Sequence, residues 1–265
     1  MDASHDDKAT ARGDRRWVNS PAIRGARHAR MRTNPYPTLV LVHGAWHRTS
    51  MWRLLLDQLP DINVKTVQLP SSAPVPVRQL GDMYDDARAI RAVVEGIDGA
   101  VMVCAHSYGG VPTSQAVEDL PQVRRLVFLN SFLLDVGTSM LGNAGGGYPP
   151  QWVVHEEGGF IEACQPERAL YNDLSPERAA AAVAELGPQS LRATVQPLTM
   201  DAWRSIPSTY VVGERDATIP PAMSKLFAGR AGTVVRLDTS HSPFLSQPRE
   251  TGVLLRYELS RARRG

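Results

Sequence analysis

The segment Ala105-His106-Ser107-Tyr108-Gly109-Gly110 constrains this chain more than any other. It follows the apolar run Ala100-Val101-Met102-Val103-Cys104, which reads as a buried strand. It precedes Val111 to Leu120, which continues as a helix. A serine flanked by small residues two before and two after, between a strand and a helix, reads as a nucleophile elbow. The sharp turn lifts the hydroxyl out of the sheet and strains the serine backbone, and bulky flanking residues would clash across it. The flanks here are Ala105 and Gly109, so alanine stands where glycine is usual and still fits.

The rest of the body alternates short apolar runs with helical patterns. Strands are expected at Thr38 to Val42, Asn63 to Gln68, Ala100 to Cys104, Arg125 to Leu129, Ser208 to Val212 and Thr233 to Leu237. Helices are expected at Met51 to Leu59, Arg78 to Glu95, Val111 to Leu120, 222–228 and Glu250 to Arg263. Uninterrupted apolar strands alternating with helices predict an α/β fold with a mostly parallel sheet covered on both faces. Between Leu134 and Ile206 no convincing strand is visible. The alanine-rich stretch Pro176 to Leu186, with Ser175 as N-cap, reads as helix. The interval, about 135–206, is therefore expected to be an inserted helical cap.

A serine hydroxyl is a weak nucleophile near neutral pH. It needs a histidine base, and the histidine needs a carboxylate to fix its tautomer. Candidates must lie beyond the carboxyl ends of strands, where open α/β sheets bind ligands. Asp216 follows the strand Tyr210-Val211-Val212, and His241 follows Val234-Val235-Arg236-Leu237, in the order serine, acid, histidine. Asp135 is the runner-up acid. Oxyanion donors are expected at the backbone N–H groups of Tyr108 and of Ala45, the latter in the loop His43-Gly44-Ala45-Trp46-His47 after the first strand. His43 and His106 read as structural neighbours of the site, and His47 as a residue of the pocket entrance. His155 reads as an exposed cap residue.

LVHGAWH, AHSYGG, VVGERDATIP and SHSPFLSQP together resemble the oxyanion, elbow, acid and histidine blocks of the α/β-hydrolase superfamily. The resemblance runs from about Thr38 to Leu259 and is greatest to the branch of plant methylesterases, hydroxynitrile lyases and their bacterial relatives. It implies an α/β-hydrolase fold with Ser107 as nucleophile, His241 as base, Asp216 as acid, and Ala45 and Tyr108 as oxyanion donors. The lyases of that branch carry threonine after the first-block histidine and lysine after the catalytic histidine. Here those positions are Gly44 and Ser242, which disfavours cyanohydrin cleavage. Dehalogenases and epoxide hydrolases of this fold use aspartate as nucleophile, and Ser107 argues against both.

The expected activity is hydrolysis of a small to medium, hydrophobic or aromatic ester through an acyl-enzyme. Lactone, thioester or carbon–carbon bond hydrolysis on the same triad, and a slow-turnover ligand receptor, are the alternatives. Trp46, Met140, Trp152, Phe160, Trp203 and Phe244 are the expected pocket residues. No cofactor is expected, and no CxxC or HExxH spacing suggests a metal site.

The 265 residues, 43% of them hydrophobic, suit one globular domain at 35–265 with its insertion. Residues 1–34 hold eight Lys/Arg and four Asp, a net +4 against +2 for the whole chain, which leaves the remainder at −2. The mildly acidic body offers no basic face for nucleic acid. The leader lacks an apolar run and is expected to be a disordered basic segment; translation starting at Met31 would remove most of it. No stretch of 18 apolar residues predicts a membrane span. Two cysteines, Cys104 in a core strand and Cys164, fit a reduced, cytoplasmic setting and a monomer or homodimer without disulfides.

Overall fold

A computed structural model describes residues 36–263. The basic leader and the alternative start at Met31 lie outside the described residues. Among the described residues nine strands form two sheets. The main sheet contains β1 (Thr38–Val42), β2 (Val64–Val67), β3 (Val101–His106), β4 (Val123–Leu129), β8 (Ser208–Gly213) and β9 (Thr233–Leu237), in the order β2-β1-β3-β4-β8-β9. Every pairing in it is parallel. The strands between, β5 (Trp152–His155), β6 (Phe160–Ala163) and β7 (Gln189–Ser190), form a small antiparallel sheet.

The α-helices are α1 (Arg53–Leu56), α2 (Met83–Glu95), α3 (Gly110–Ala116), α4 (Met140–Asn143), α5 (Pro166–Leu170), α6 (Pro176–Val183), α7 (Arg192–Val195), α8 (Pro221–Ala228), α9 (Pro243–Ser246) and α10 (Pro248–Ala262). Because side chains alternate along a strand, the main sheet divides its residues between two cores. Val40, Val42, Val103, Phe128 and Tyr210 pack on one face with Ile90 of α2 and Phe227 of α8. Leu39, Leu41, Cys104, Val127 and Val211 pack on the other with Leu55 of α1 and Leu255 of α10. The fold is thus the expected mostly parallel sheet with helices on both faces. Among the described residues no helix is long and apolar enough to cross a membrane.

Several boundaries differ from expectation for identifiable reasons. The helix expected from Arg78 begins at Met83, because Asp82 and Asp85 form a reciprocal capping box there. A separate 3₁₀ turn covers Val77–Gln79. The helix expected over Met51 to Leu59 is a 3₁₀ turn, Thr49–Trp52, continued by the single turn α1. The main correction concerns the interval between β4 and β8. It is not purely helical: β5 and β6 make a hairpin around Glu156-Glu157-Gly158-Gly159, and β7 joins β6. These short strands stand outside the strand–helix alternation that marks the main sheet in the sequence. The expected helix in this interval is present as α6, and the Ser175 hydroxyl caps it by accepting from the Arg178 amide.

Candidate active site

Ser107 sits where β3 ends and α3 begins, with φ of 51°. A non-glycine residue in this region stores strain, which is the backbone signature of an elbow. The turn is held at two points: the Ser107 carbonyl accepts from the Ser131 hydroxyl at 2.7 Å and from the Phe132 amide at 3.2 Å. A Cβ on Gly109 would lie 2.5 Å from the His43 carbonyl oxygen, so only glycine fits two residues after the serine. A Cβ on Gly44 would lie 2.8 Å from that of Ser107, so the loop after β1 approaches the elbow at backbone distance. Ala105, by contrast, lies in β3 between Val42 and Phe128 and carries its methyl group there without difficulty.

His241 and Asp216 meet as their positions after β9 and β8 imply. His241 Nδ1 lies 2.9 Å from Asp216 Oδ2. The other oxygen of Asp216 accepts the amides of Thr218 at 2.7 Å and Ile219 at 3.1 Å. Both oxygens are therefore acceptors, so Nδ1 carries the proton that bonds to Asp216. Nε2 is buried and has no hydrogen-bond partner among the described residues. Asp135, the runner-up acid, is engaged elsewhere by Arg204 and Arg230.

Residues not singled out by sequence reasoning hold the histidine loop. Asn130, at the end of β4 with φ of 42°, donates from Nδ2 to the carbonyls of Ser240 and His241 at 3.0 and 3.1 Å. Its Oδ1 accepts the Gly213 amide. An asparagine directly after a strand was the available signal, because Asn tolerates the left-handed region. The His106 ring reaches the same His241 carbonyl.

The loop after β1 carries Ala45, Trp46 and His47, all buried. His47 Nδ1 bonds the Ala45 carbonyl at 2.9 Å, and its Nε2 meets the Tyr171 hydroxyl at 2.9 Å. His43 donates from Nδ1 to the Gly44 carbonyl and accepts the Leu69 amide at Nε2. Burial drives the pKa of His43 down to about 4 and that of His47 to about 3, with neighbouring histidines adding to the second. Burial, then His241 and His47, hold His106 well below its ordinary value. These three rings stay neutral around His241. Tyr108 is fully buried, and its hydroxyl bonds Asp86 rather than facing a cavity.

Ser107 and Asp216 both line a cavity of about 550 Å³. Its walls include Trp46, Phe132, Met140, Trp152, Ile219 and Met223, and Asp216 is the one charged residue among the described lining. Trp46 and Trp152 pack edge to face, 6.4 Å between centroids. Three expected pocket residues do not line it. Phe160 stacks on His155 within the small sheet. Trp203 donates its indole N–H to the Leu134 carbonyl and lies under Arg204. Phe244 is fully buried in the opposite core against Trp52.

The chain belongs to the alpha/beta hydrolase family, which residues 39–251 match. It is 30% identical over 237 residues to the alpha/beta hydrolase nvfD of Aspergillus novofumigatus, covering 80% of this chain and 92% of that protein. It is 28% identical over 231 residues to a carbendazim hydrolyzing esterase of a Nocardioides species, covering 80% of this chain and 95% of the relative. Its fold is similar to that of polyneuridine aldehyde esterase, with a TM-score of 0.71 at 21% identity over 84% of this chain and 99% of that one. That likeness shows that the two chains share a fold.

Proposed function

We propose that the protein is a serine esterase acting on an uncharged, hydrophobic or aromatic ester of small to medium size. The observation that carries this reading is that Asp216, which lines the same cavity as the strained Ser107, bonds His241 Nδ1 and leaves the buried Nε2 without a partner among the described residues. Ser107 attacks the ester carbonyl as His241 Nε2 takes its proton, and Asp216 stabilises the resulting imidazolium. The carbonyl oxygen becomes an anion between the backbone N–H groups of Ala45 and Tyr108. His241 then returns the proton to the leaving alcohol. Water, deprotonated by the same nitrogen, attacks the acyl-enzyme, releases the acid and restores Ser107.

The cavity supports the substrate class. Its volume suits a molecule of modest size, and its walls offer aromatic and thioether surface with no cation to receive an anionic group. Esterases among the similar proteins favour ester over other acyl chemistry. Turnover of a panel of p-nitrophenyl and methyl esters tests the reading. Cleavage of aryl and aralkyl esters is expected, and Ser107→Ala should lower kcat by about 10⁴-fold. Unchanged turnover in that variant would remove Ser107 from the mechanism.

A further inference from the structure

A carboxylate is fully buried beside the elbow, and the triad does not use it. Asp86 lies in the first turn of α2, with no solvent contact. Removing a carboxylate from water is costly unless its lone pairs are met by donors. Asp86 Oδ1 accepts the Ser71 amide at 2.8 Å. Its Oδ2 accepts two hydroxyls, that of Ser71 at 2.5 Å and that of Tyr108 at 2.7 Å.

The network continues into the small sheet. Ser71 Oγ, while donating to Asp86, accepts the Gln189 side-chain amide at 2.8 Å. Gln189 lies in β7, opposite Ile161 of β6. The Ile161 carbonyl accepts the Trp46 indole N–H at 3.2 Å. One cross-strand pair therefore holds both segments of the oxyanion site. Ile161 grips Trp46, the neighbour of Ala45, while Gln189 reaches Tyr108 through Ser71 and Asp86.

Resting on the reading of the Tyr108 N–H as an oxyanion donor, we propose that Asp86 is a positioning residue for that donor. Through the Tyr108 hydroxyl it fixes the residue after Ser107, and through Ser71 and Gln189 it ties that residue to the small sheet. A phenylalanine at 108 against an apolar wall would fill the same space without burying a charge. The polar pair adds direction: hydrogen bonds to the buried carboxyl group hold the ring, and with it the peptide N–H, at one distance and angle.

The test compares Tyr108→Phe, which keeps the ring, with Asp86→Asn, which keeps the shape, and with their double variant. Two readouts separate positioning from stability. The first is kcat and KM on an aryl ester. The second is inhibition by a phenylalkyl trifluoromethyl ketone. Ser107 Oγ adds to the ketone carbon, the serine proton passes to His241, and the ketone oxygen becomes the anion in the hole. Each single variant should lower kcat about tenfold and weaken the ketone by a similar factor, with KM within about twofold. The double variant should be no worse than Asp86→Asn alone, and Gln189→Leu should show a smaller loss of the same kind. Should Asp86→Asn fail to fold, Tyr108→Phe and Gln189→Leu carry the comparison.

Tyr108→Phe with wild-type kcat and ketone affinity would overturn the proposal, as would additive losses in the double variant. Wild-type protein that neither cleaves esters nor takes up the ketone at Ser107 is a different result. It would overturn the esterase reading and the proposal with it.

Discussion

His106 and His241 lie ring against ring, 4.7 Å between centroids, and His106 Nε2 bonds the main-chain carbonyl of His241 at 3.0 Å. The carbonyl accepts, so Nε2 of His106 is the protonated nitrogen, and its buried Nδ1 has no partner among the described residues. Burial keeps this ring neutral. In the proposed mechanism His241 would therefore form its imidazolium beside a dipole rather than a second cation. His106→Leu should lower kcat about tenfold with little change in KM, because Asn130 still holds the same carbonyl. Steady-state kinetics on an aryl ester checks this.

The buried histidines also set the acid limit of stability. Their ordinary pKa is 6.5, but burial lowers His43 to about 4 and His47 to about 3, and lowers His106 as well. Between these values the unfolded chain binds more protons, so stability falls as pH falls below about 6.5. Asp86 opposes this. Burial, with Asp85 adding to it, raises its pKa from 3.8 to about 7, against the bonds from Ser71 and Tyr108. Its contribution is full below 3.8 and fades as pH rises toward 7. Urea midpoints from pH 7.5 to 5 should fall in the wild type, and more steeply in Asp86→Asn.

Arg125 on β4 and Glu258 on α10 form a buried ion pair, joined by the Thr209 hydroxyl at 2.9 Å from the guanidinium. Glu258 also pairs with Arg261 at 3.3 Å, so it is the loss of Glu258 that strands a buried charge, that of Arg125. Glu258→Ala should cost roughly 3–5 kcal/mol, whereas Arg125→Met with Glu258→Leu should recover much of the loss. Equilibrium urea denaturation measures both.

Trp152 and Phe244 should respond differently to truncation. Trp152 lines the cavity, so Trp152→Ala should raise KM for aromatic esters by about tenfold. Phe244 packs in the opposite core, so Phe244→Ala should cost about 3–5 kcal/mol of stability and leave KM near wild type in the folded fraction.

The main sheet, the strained turn at Ser107 and the Asp216–His241 contact were legible because each carries a local physical signal. β1 and β9 have the expected limits, since apolar runs bounded by turn residues fix strand ends. Asp216 and His241 were legible because strand ends in this architecture converge on one site. The β5-β6-β7 sheet was not, because its short strands stand outside the strand–helix alternation that marked the equally short β2. The misplaced aromatics have a related cause. Phe244 follows His241 by three residues, yet α9 carries its ring to the far side of the sheet. Asp86 was hidden by its position among other acidic residues at the start of a helix, where capping and charge on an exposed face are the ordinary roles. Its burial and its contacts with Ser71 and Tyr108 distinguish it.

The proposed mechanism makes Ser107 a nucleophile activated by His241 and Asp216. Intact and peptide mass measurement after reaction with a fluorophosphonate tests it most directly. One phosphonyl group on the Ser107 peptide is expected, slowed strongly by Asp216→Asn and little by Asp135→Asn, and abolished by Ser107→Ala. An unmodified Ser107 peptide in the folded wild-type protein, or labelling that survives Ser107→Ala, would contradict the account.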